Sequence, residues 1–220
     1  MSTTTTSTSS STPTTSVKQK FKYLIVLDFE ATCEKDVKFP NQEIIEFPSV
    51  IINTETLETV STFREYVKPI INPNLSKFCT ELTGIKQETV ENAALFPDVL
   101  KSHCDWFFES LPKDIQSDEY CFVCCGDWDL LQCLPKQLKL CNNLSKPSYL
   151  SKWINIKKQY TLFYNRPSFG MTNMLRELNI PLEGRHHCGL SDSLNISKIL
   201  KRMIEEGCNF DLVSTMKSVK

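Results

Sequence analysis

An α/β fold built on a β-sheet of mixed direction is what this sequence predicts, and three observations carry it. Tyr23-Leu24-Ile25-Val26-Leu27 is an unbroken, mostly branched apolar run, the mark of a strand buried on both faces. Residues 44–53 and 58–68 are rich in β-branched and aromatic residues and are joined by a short Thr-Glu-Thr-Leu segment, which reads as a hairpin. Beyond them, apolar stretches at helical spacing alternate with strand-like ones, the pattern of a sheet covered by helices.

The first strand ends on Asp28-Phe29-Glu30. Side chains i and i+2 of a strand share a face, so Asp28 and Glu30 project together while Phe29 points the other way. Two carboxylates so close need a cation to neutralise them, and a hard divalent ion with oxygen ligands suits the task. The plain alternative is a strand end reaching solvent with two ordinary acids. Residues 33–42 follow as a polar loop beside these acids. The second member of the hairpin alternates as an edge strand does, and Pro69 and Pro73 break the pattern. Short helical signals lie around Leu82-Thr83-Gly84-Ile85. Residues 96–111 set Val99, Leu100, Trp106, Phe107 and Leu111 at helical spacing. Residues 120–125 read as a second buried strand, closed by Gly126-Asp127-Trp128-Asp129. Residues 130–140 then read as a helix, 150–156 as a strand and 171–178 as a short helix. The last helix, 190–206, carries Leu194, Ile196, Ile199, Leu200, Met203 and Ile204, and Gly207 stops it. Ligands of such sheets sit at the carboxyl ends of the central strands, where Asp28, Glu30 and Asp129 all fall.

Composition narrows the function classes. The chain has 220 residues, 40% hydrophobic and 23% charged, enough to bury an ordinary core. The formal net charge of −1 lacks the basic field of a protein that coats nucleic acid without regard to sequence. It leaves room for an enzyme that grips phosphate through bound metal and local lysines. No apolar run approaches a membrane span, and the start of the chain lacks a basic-then-apolar signal pattern. A cytoplasmic or nuclear protein, not secreted and without membrane contact, is therefore expected. The ten cysteines read as free thiols. Cys121 and Cys124 match C-x-x-C, but on a strand they face opposite sides and cannot share one ion. Residues 2–16, almost all Ser and Thr, are expected to bury nothing and to form a disordered tail. The expected organisation is a tail over 1–20, a folded domain over 21–208 and a C-terminal tail over 209–220.

The order Asp28-x-Glu30, then Asp129 after a later strand, then His187-x4-Asp192 opening the last helix resembles the DEDDh exonucleases, which have the ribonuclease H-like fold. The resemblance covers essentially the whole folded region. Leu27-Asp28-Phe29-Glu30-Ala31-Thr32-Cys33, Glu43-Ile44-Ile45-Glu46-Phe47-Pro48, Leu82-Thr83-Gly84-Ile85, Trp128-Asp129, Lys152-Trp153-Ile154-Asn155 and His187-Cys188-Gly189-Leu190 are similar to the histone-mRNA 3′-exonuclease, or "enhanced RNAi", branch. The chain resembles that branch's shorter, nuclease-only members, without a SAP domain. It departs from the branch at Ser191, where an acid is usual, and at His186, where a proline is usual.

The resemblance implies a metal-dependent 3′→5′ exoribonuclease that acts on RNA with a free 3′ end and releases nucleoside 5′-monophosphates. Two Mg²⁺ ions, with Mn²⁺ as substitute, are implied. Asp28 would bridge them, Glu30 and Asp192 would complete the first site, and Asp129 would serve the second, through water. His187 is implied as general base. Phe29, Phe78 and Trp128 are the candidate substrate contacts, and Lys152, Lys157 and Lys158 the candidate phosphate contacts. A monomer is expected, with its protein partners undetermined. Taken singly, each residue has an ordinary reading: Asp129 as a helix cap, Asp192 as a first-turn acid, His187 as a surface or satisfied core histidine, Trp128 and Phe78 as core, and the three lysines equally as a solvated face. Two other functions stand beside the first. One is a DNA exonuclease of proofreading type, which the finer motifs count against. The other is an inactive ribonuclease H-like module binding RNA or protein, which the presence of all five residues counts against.

Overall fold

The computed structural model describes residues 18–36, 39 and 41–215. The Ser/Thr-rich stretch 2–16 lies outside them. A seven-stranded sheet forms the centre. Strand β1 (Tyr23–Leu27) runs parallel to β5 (Tyr120–Cys124), which runs parallel to β6 (Lys152–Asn155). On the other side β3 (Ile44–Asn53) pairs antiparallel with β1 and, further along, with the two-residue β2 (Glu30–Ala31). Strand β4 (Thr59–Tyr66) pairs antiparallel with β3. The mixed direction and the hairpin are as the sequence predicts, and β4 is the more exposed strand.

Strand alternation divides the core in two. Ile25, Leu27, Phe29, Phe47, Ile51, Phe122, Cys124 and Trp153 pack against α3 (Phe96–Ser110) and α4 (Leu134–Leu140). Leu24, Val26, Val50, Ile52, Cys121, Val123 and Ile154 pack on the opposite face against α6 (Met171–Glu177) and α7 (Gly189–Glu205). Cys121 and Cys124 thus lie in different cores, as their strand spacing requires. All ten cysteines are free. Among the described residues no helix is long and apolar enough to cross a membrane.

Three features differ from the expected elements. The segment after β5 opens as a π-helical turn over Asp129–Cys133, in which the Leu134 N–H reaches the Asp129 carbonyl, before α4 begins. Pro135 explains the wide turn: it has no N–H for the carbonyl four residues back, and its ring would crowd that carbonyl. A helix absent from the expected set, α5 (Ile156–Tyr164), follows β6 directly, capped by Asn155, whose side chain accepts from the N–H of Lys157 and Lys158. The sheet also continues into the segment expected as a C-terminal tail. Val213–Thr215 forms β7 antiparallel to β6, and Phe210 is buried beside it.

Candidate active site

Alternation from Leu24 and Val26, which face α7, carries Asp28 and Glu30 to that same face. Asp192, in the first turn of α7, meets them there. One carboxylate oxygen of each of Asp28, Glu30 and Asp192 lies within 4.8 Å of the other two. Asp129 comes from the turn after β5, the neighbouring strand. Its Oδ1 accepts the Phe29 N–H at 2.9 Å, which ties the turn after β5 to the end of β1. Among the described residues no cluster of three potential ligands within 4.8 Å includes Asp129, so it stands to one side of the tight group.

The last member of the set is held by backbone geometry. His187 has φ +64°, and its N–H donates to Asp192 Oδ2 at 2.8 Å. An imidazole nitrogen of His187, one of His186 and a carboxylate oxygen of Asp192 also lie within 4.8 Å of one another. The His186 and His187 rings stack with centroids 3.9 Å apart, and His186 Nε2 is 3.9 Å from Asp192 Oδ2. His186 therefore does not turn away from the site, as two adjacent residues on an extended chain would. The left-handed backbone at His187 folds both rings to one side.

Burial is the leading cause of the shift at each of the four acids. Burial, then the charges of Asp129, Asp192 and Glu46, hold the Asp28 carboxyl well above its ordinary range. Burial, followed by the neighbouring Asp28 and Glu46, pushes Glu30 up to about 10. Burial raises Asp129 to about 6, opposed by the Phe29 N–H, and raises Asp192, opposed by the His187 N–H. His187 is shifted down by burial and then by the charges of His186 and Arg185. Buried acids of like charge reach their ionised form together only beside a cation. Asp192 Oδ1 is buried with no hydrogen-bond partner, so the group keeps an unused acceptor. Three carboxylates offering oxygen only, one with a free buried lone pair, fit a hard divalent ion.

The candidate contacts divide. Phe78, on α1 (Lys77–Thr83), and Trp128 are half-buried, with ring surface left to offer. Phe29 is a correction. It is buried with its ring edge-on to Phe47 at 4.7 Å, because alternation turns it away from Asp28 and Glu30 into the other core. Only its backbone N–H serves the site. Lys152 is another correction: it stands at the start of β6, over Phe21 and Tyr120 and bonded to the Ser117 carbonyl, at the far end of the sheet. Lys158 is paired with Asp127 at 2.7 Å, and Asp127 also accepts from Trp153 Nε1 at 2.9 Å. Of the two Asp in Gly126-Asp127-Trp128-Asp129, the first therefore anchors the loop and the second faces the acids.

Two buried glutamates were not singled out by the sequence. Glu43 accepts from the N–H of Ile70, Ile71 and Asn72 and fixes the loop after β4. Glu46 contacts Arg64 and the start of α7. A charged residue inside an apolar strand is the available signal, since such groups are rarely buried unpaired. The third histidine, His103, is a core residue between Ser49 and Tyr149, and burial alone pushes it down to about 3.

Comparison with known proteins gives the family. Residues 25–200 match the family described as Exonuclease, and the chain belongs to that family. It is 43% identical over 200 residues to human 3'-5' exoribonuclease 1, covering 89% of this chain and 56% of the relative. The chain thus spans about half the length of that relative. Among solved structures, the nuclease domain of 3'hExo, a DEDDh family member, bound to rAMP, is 43% identical with a TM-score of 0.83, covering 89% of this chain and 98% of that one. A structure of 3'-end specific recognition of histone mRNA stem-loop by 3'-exonuclease is 39% identical with a TM-score of 0.83, covering 92% and 94%. The mixed α/β architecture is accordingly the ribonuclease H-like fold of DEDDh exonucleases, a family that works with divalent metal ions.

Proposed function

We propose that this chain is a 3′→5′ exoribonuclease that removes nucleoside 5′-monophosphates from a free RNA 3′ end, with Mg²⁺ as its natural metal. The observation that carries this is the meeting of Asp28, Glu30 and Asp192 within 4.8 Å, with the His187 imidazole on the turn that Asp192 holds. The relatives support the direction and the substrate: one is named a 3'-5' exoribonuclease, and one structure holds rAMP, a ribonucleoside monophosphate. Physiological targets in RNA processing or small-RNA turnover suit a protein of this branch, acting as a monomer in the cytoplasm or nucleus.

Asp28, Glu30 and Asp192 would hold one ion, and Asp28 with Asp129 a second. Ions bound there supply a water of lowered pKa and stabilise charge on the phosphoryl and leaving oxygens. The chain's own work is positioning and proton transfer. His187, shifted down and so neutral at pH 7, takes the proton of the attacking water on its imidazole nitrogen. The Asp192 carboxylate fixes the turn that presents this ring. Phe78 and Trp128 hold the terminal base by stacking, which tolerates any base.

End-labelled RNA and matched DNA oligomers with Mg²⁺ test the reading. A ladder of single-nucleotide steps from the 3′ end is expected, faster on RNA because the ribose 2′-hydroxyl offers contacts that DNA lacks. Internal cuts, or full activity in EDTA, would overturn it. Stacking makes a separate prediction: Phe78→Ala and Trp128→Ala each weaken RNA binding by about 1–3 kcal/mol. Unchanged affinity in both variants, measured by fluorescence anisotropy with Ca²⁺ in place of Mg²⁺, would return these rings to a packing role.

A further inference from the structure

Glu46 lies on β3 opposite Glu30, fully buried, and belongs to none of the five residues above. Both its oxygens are engaged. Oε1 accepts from Arg64 Nε at 2.8 Å and from the Leu190 N–H at 3.3 Å, and Oε2 accepts from the Gly189 N–H at 3.1 Å. Gly189 and Leu190 are the first two residues of α7, whose opening N–H groups have no partners within the helix. An internal carboxylate thus takes the place of a cap at the end of the helix where the dipole favours negative charge.

The seat is tight as well as polar. A Cβ at Gly189 would lie 2.6 Å from the Asp28 carbonyl oxygen and 2.9 Å from Pro48 Cγ. Backbone of the helix start is therefore pressed against backbone of the strand end that carries Asp28. Arg64, reaching over from β4, grips the Glu46 carboxylate from the side and brings Nη2 to 3.5 Å from Cys188 Sγ. Arg64 and Cys188 close the outer side of the same junction. Asp192 and the His187 turn lie three residues into the helix and two residues before it. Their place relative to Asp28 and Glu30 is set by where this helix start rests.

We propose that Glu46 is a positioning residue of the exonuclease reaction, seating the first amides of α7 so that His187 and Asp192 stand in register with Asp28 and Glu30. This rests on the reading of those residues as the reaction centre. Among the described residues Glu46 belongs to neither cluster of potential metal ligands, and it touches neither water nor RNA in that reading. An ion pair that served stability alone would change melting temperature and leave the turnover of folded protein untouched.

The test uses the full chain with three substitutions: Glu46→Gln, Glu46→Ala and Arg64→Met. For each, kcat and KM on end-labelled RNA, the Mn²⁺ dissociation constant without RNA (by electron paramagnetic resonance) and the melting temperature are measured. A glutamine keeps the shape but turns an NH₂ toward one donor, so Glu46→Gln is expected to lower kcat about 10–100-fold and weaken Mn²⁺ about tenfold, with KM moved less than about threefold. Arg64→Met should shift both quantities the same way by less. If both Glu46 variants fail to fold, Arg64→Met carries the test alone. Folded variants with wild-type kcat and Mn²⁺ affinity overturn the proposal, as does a loss of kcat that the folded fraction fully accounts for. An inactive Asp28→Asn beside a wild-type Glu46→Gln refutes only this role. A fully active Asp28→Asn refutes the reaction centre beneath it.

Discussion

Asp28→Asn is expected to abolish RNA turnover, by on the order of 10³-fold or more, while the protein stays folded. The carboxylate is the central acid of the group, sharing its space with Glu30 and Asp192 and carrying the Coulombic load of Asp129, Asp192 and Glu46. Asparagine keeps its shape and one carbonyl oxygen but removes the charge that a divalent ion requires. The same change relieves repulsion among buried acids. In metal-free buffer the variant should therefore melt no lower than wild type. The sign follows from linkage. A carboxyl whose folded pKa is raised above its ordinary value of 3.8 binds more protons folded than unfolded, so it subtracts stability as pH climbs above that value. The advantage of Asp28→Asn should grow from acid pH toward neutrality, and shrink or reverse when Mg²⁺ is added. Melting curves at several pH values, with and without Mg²⁺, check this alongside single-turnover cleavage. A variant that unfolds, or that cleaves at the wild-type rate, sinks the assignment of the strand end.

What the sequence makes legible here is what periodicity can encode. Asp28 and Glu30 on one face, Cys121 and Cys124 on opposite faces and the long apolar stripe of α7 all follow from spacing within one element. The same rule turns the Phe29 ring into the core, away from the acids. What stays hidden depends on residues brought together from afar. Glu46 looks like one more acid in Ile44-Ile45-Glu46-Phe47, and its meaning comes from Arg64 on the next strand and Gly189 on the last helix. Lys152 and Lys158 look alike as phosphate contacts, but parallel pairing of β5 and β6 sends Lys152 to the far end of the sheet and the Asp127 loop occupies Lys158. Helix α5 did carry a local signal, the Asn155 cap, at the point where strand-like residues run on into it. Strand β7 carried almost none, since three residues at a sheet edge take their conformation from β6.

His187→Ala is expected to lower the rate by about 10²–10⁴, the worth of a positioned general base, and His186→Ala by several-fold at most. The two rings are neighbours in space as well as in sequence, so position alone does not separate them. Anchoring does: the His187 backbone N–H is fixed on Asp192 Oδ2, whereas the half-exposed His186 meets that carboxylate only at 3.9 Å. Their pH profiles should differ in kind. Only the neutral imidazole accepts a proton, so wild-type rate should rise with pH with its midpoint below the ordinary histidine value of 6.5, because His187 is shifted down. His186→Ala removes one of the charges responsible for that shift, so its rising limb should move to higher pH while the plateau stays near wild type. His187→Ala should lose the limb and keep Mn²⁺ binding, since the imidazole is not among the proposed ligands. Rates from pH 5 to 8 on one RNA oligomer, with Mn²⁺ affinity measured on each variant, decide between them. A larger loss in His186→Ala than in His187→Ala, or a limb that survives in His187→Ala, would move the base to the neighbouring ring.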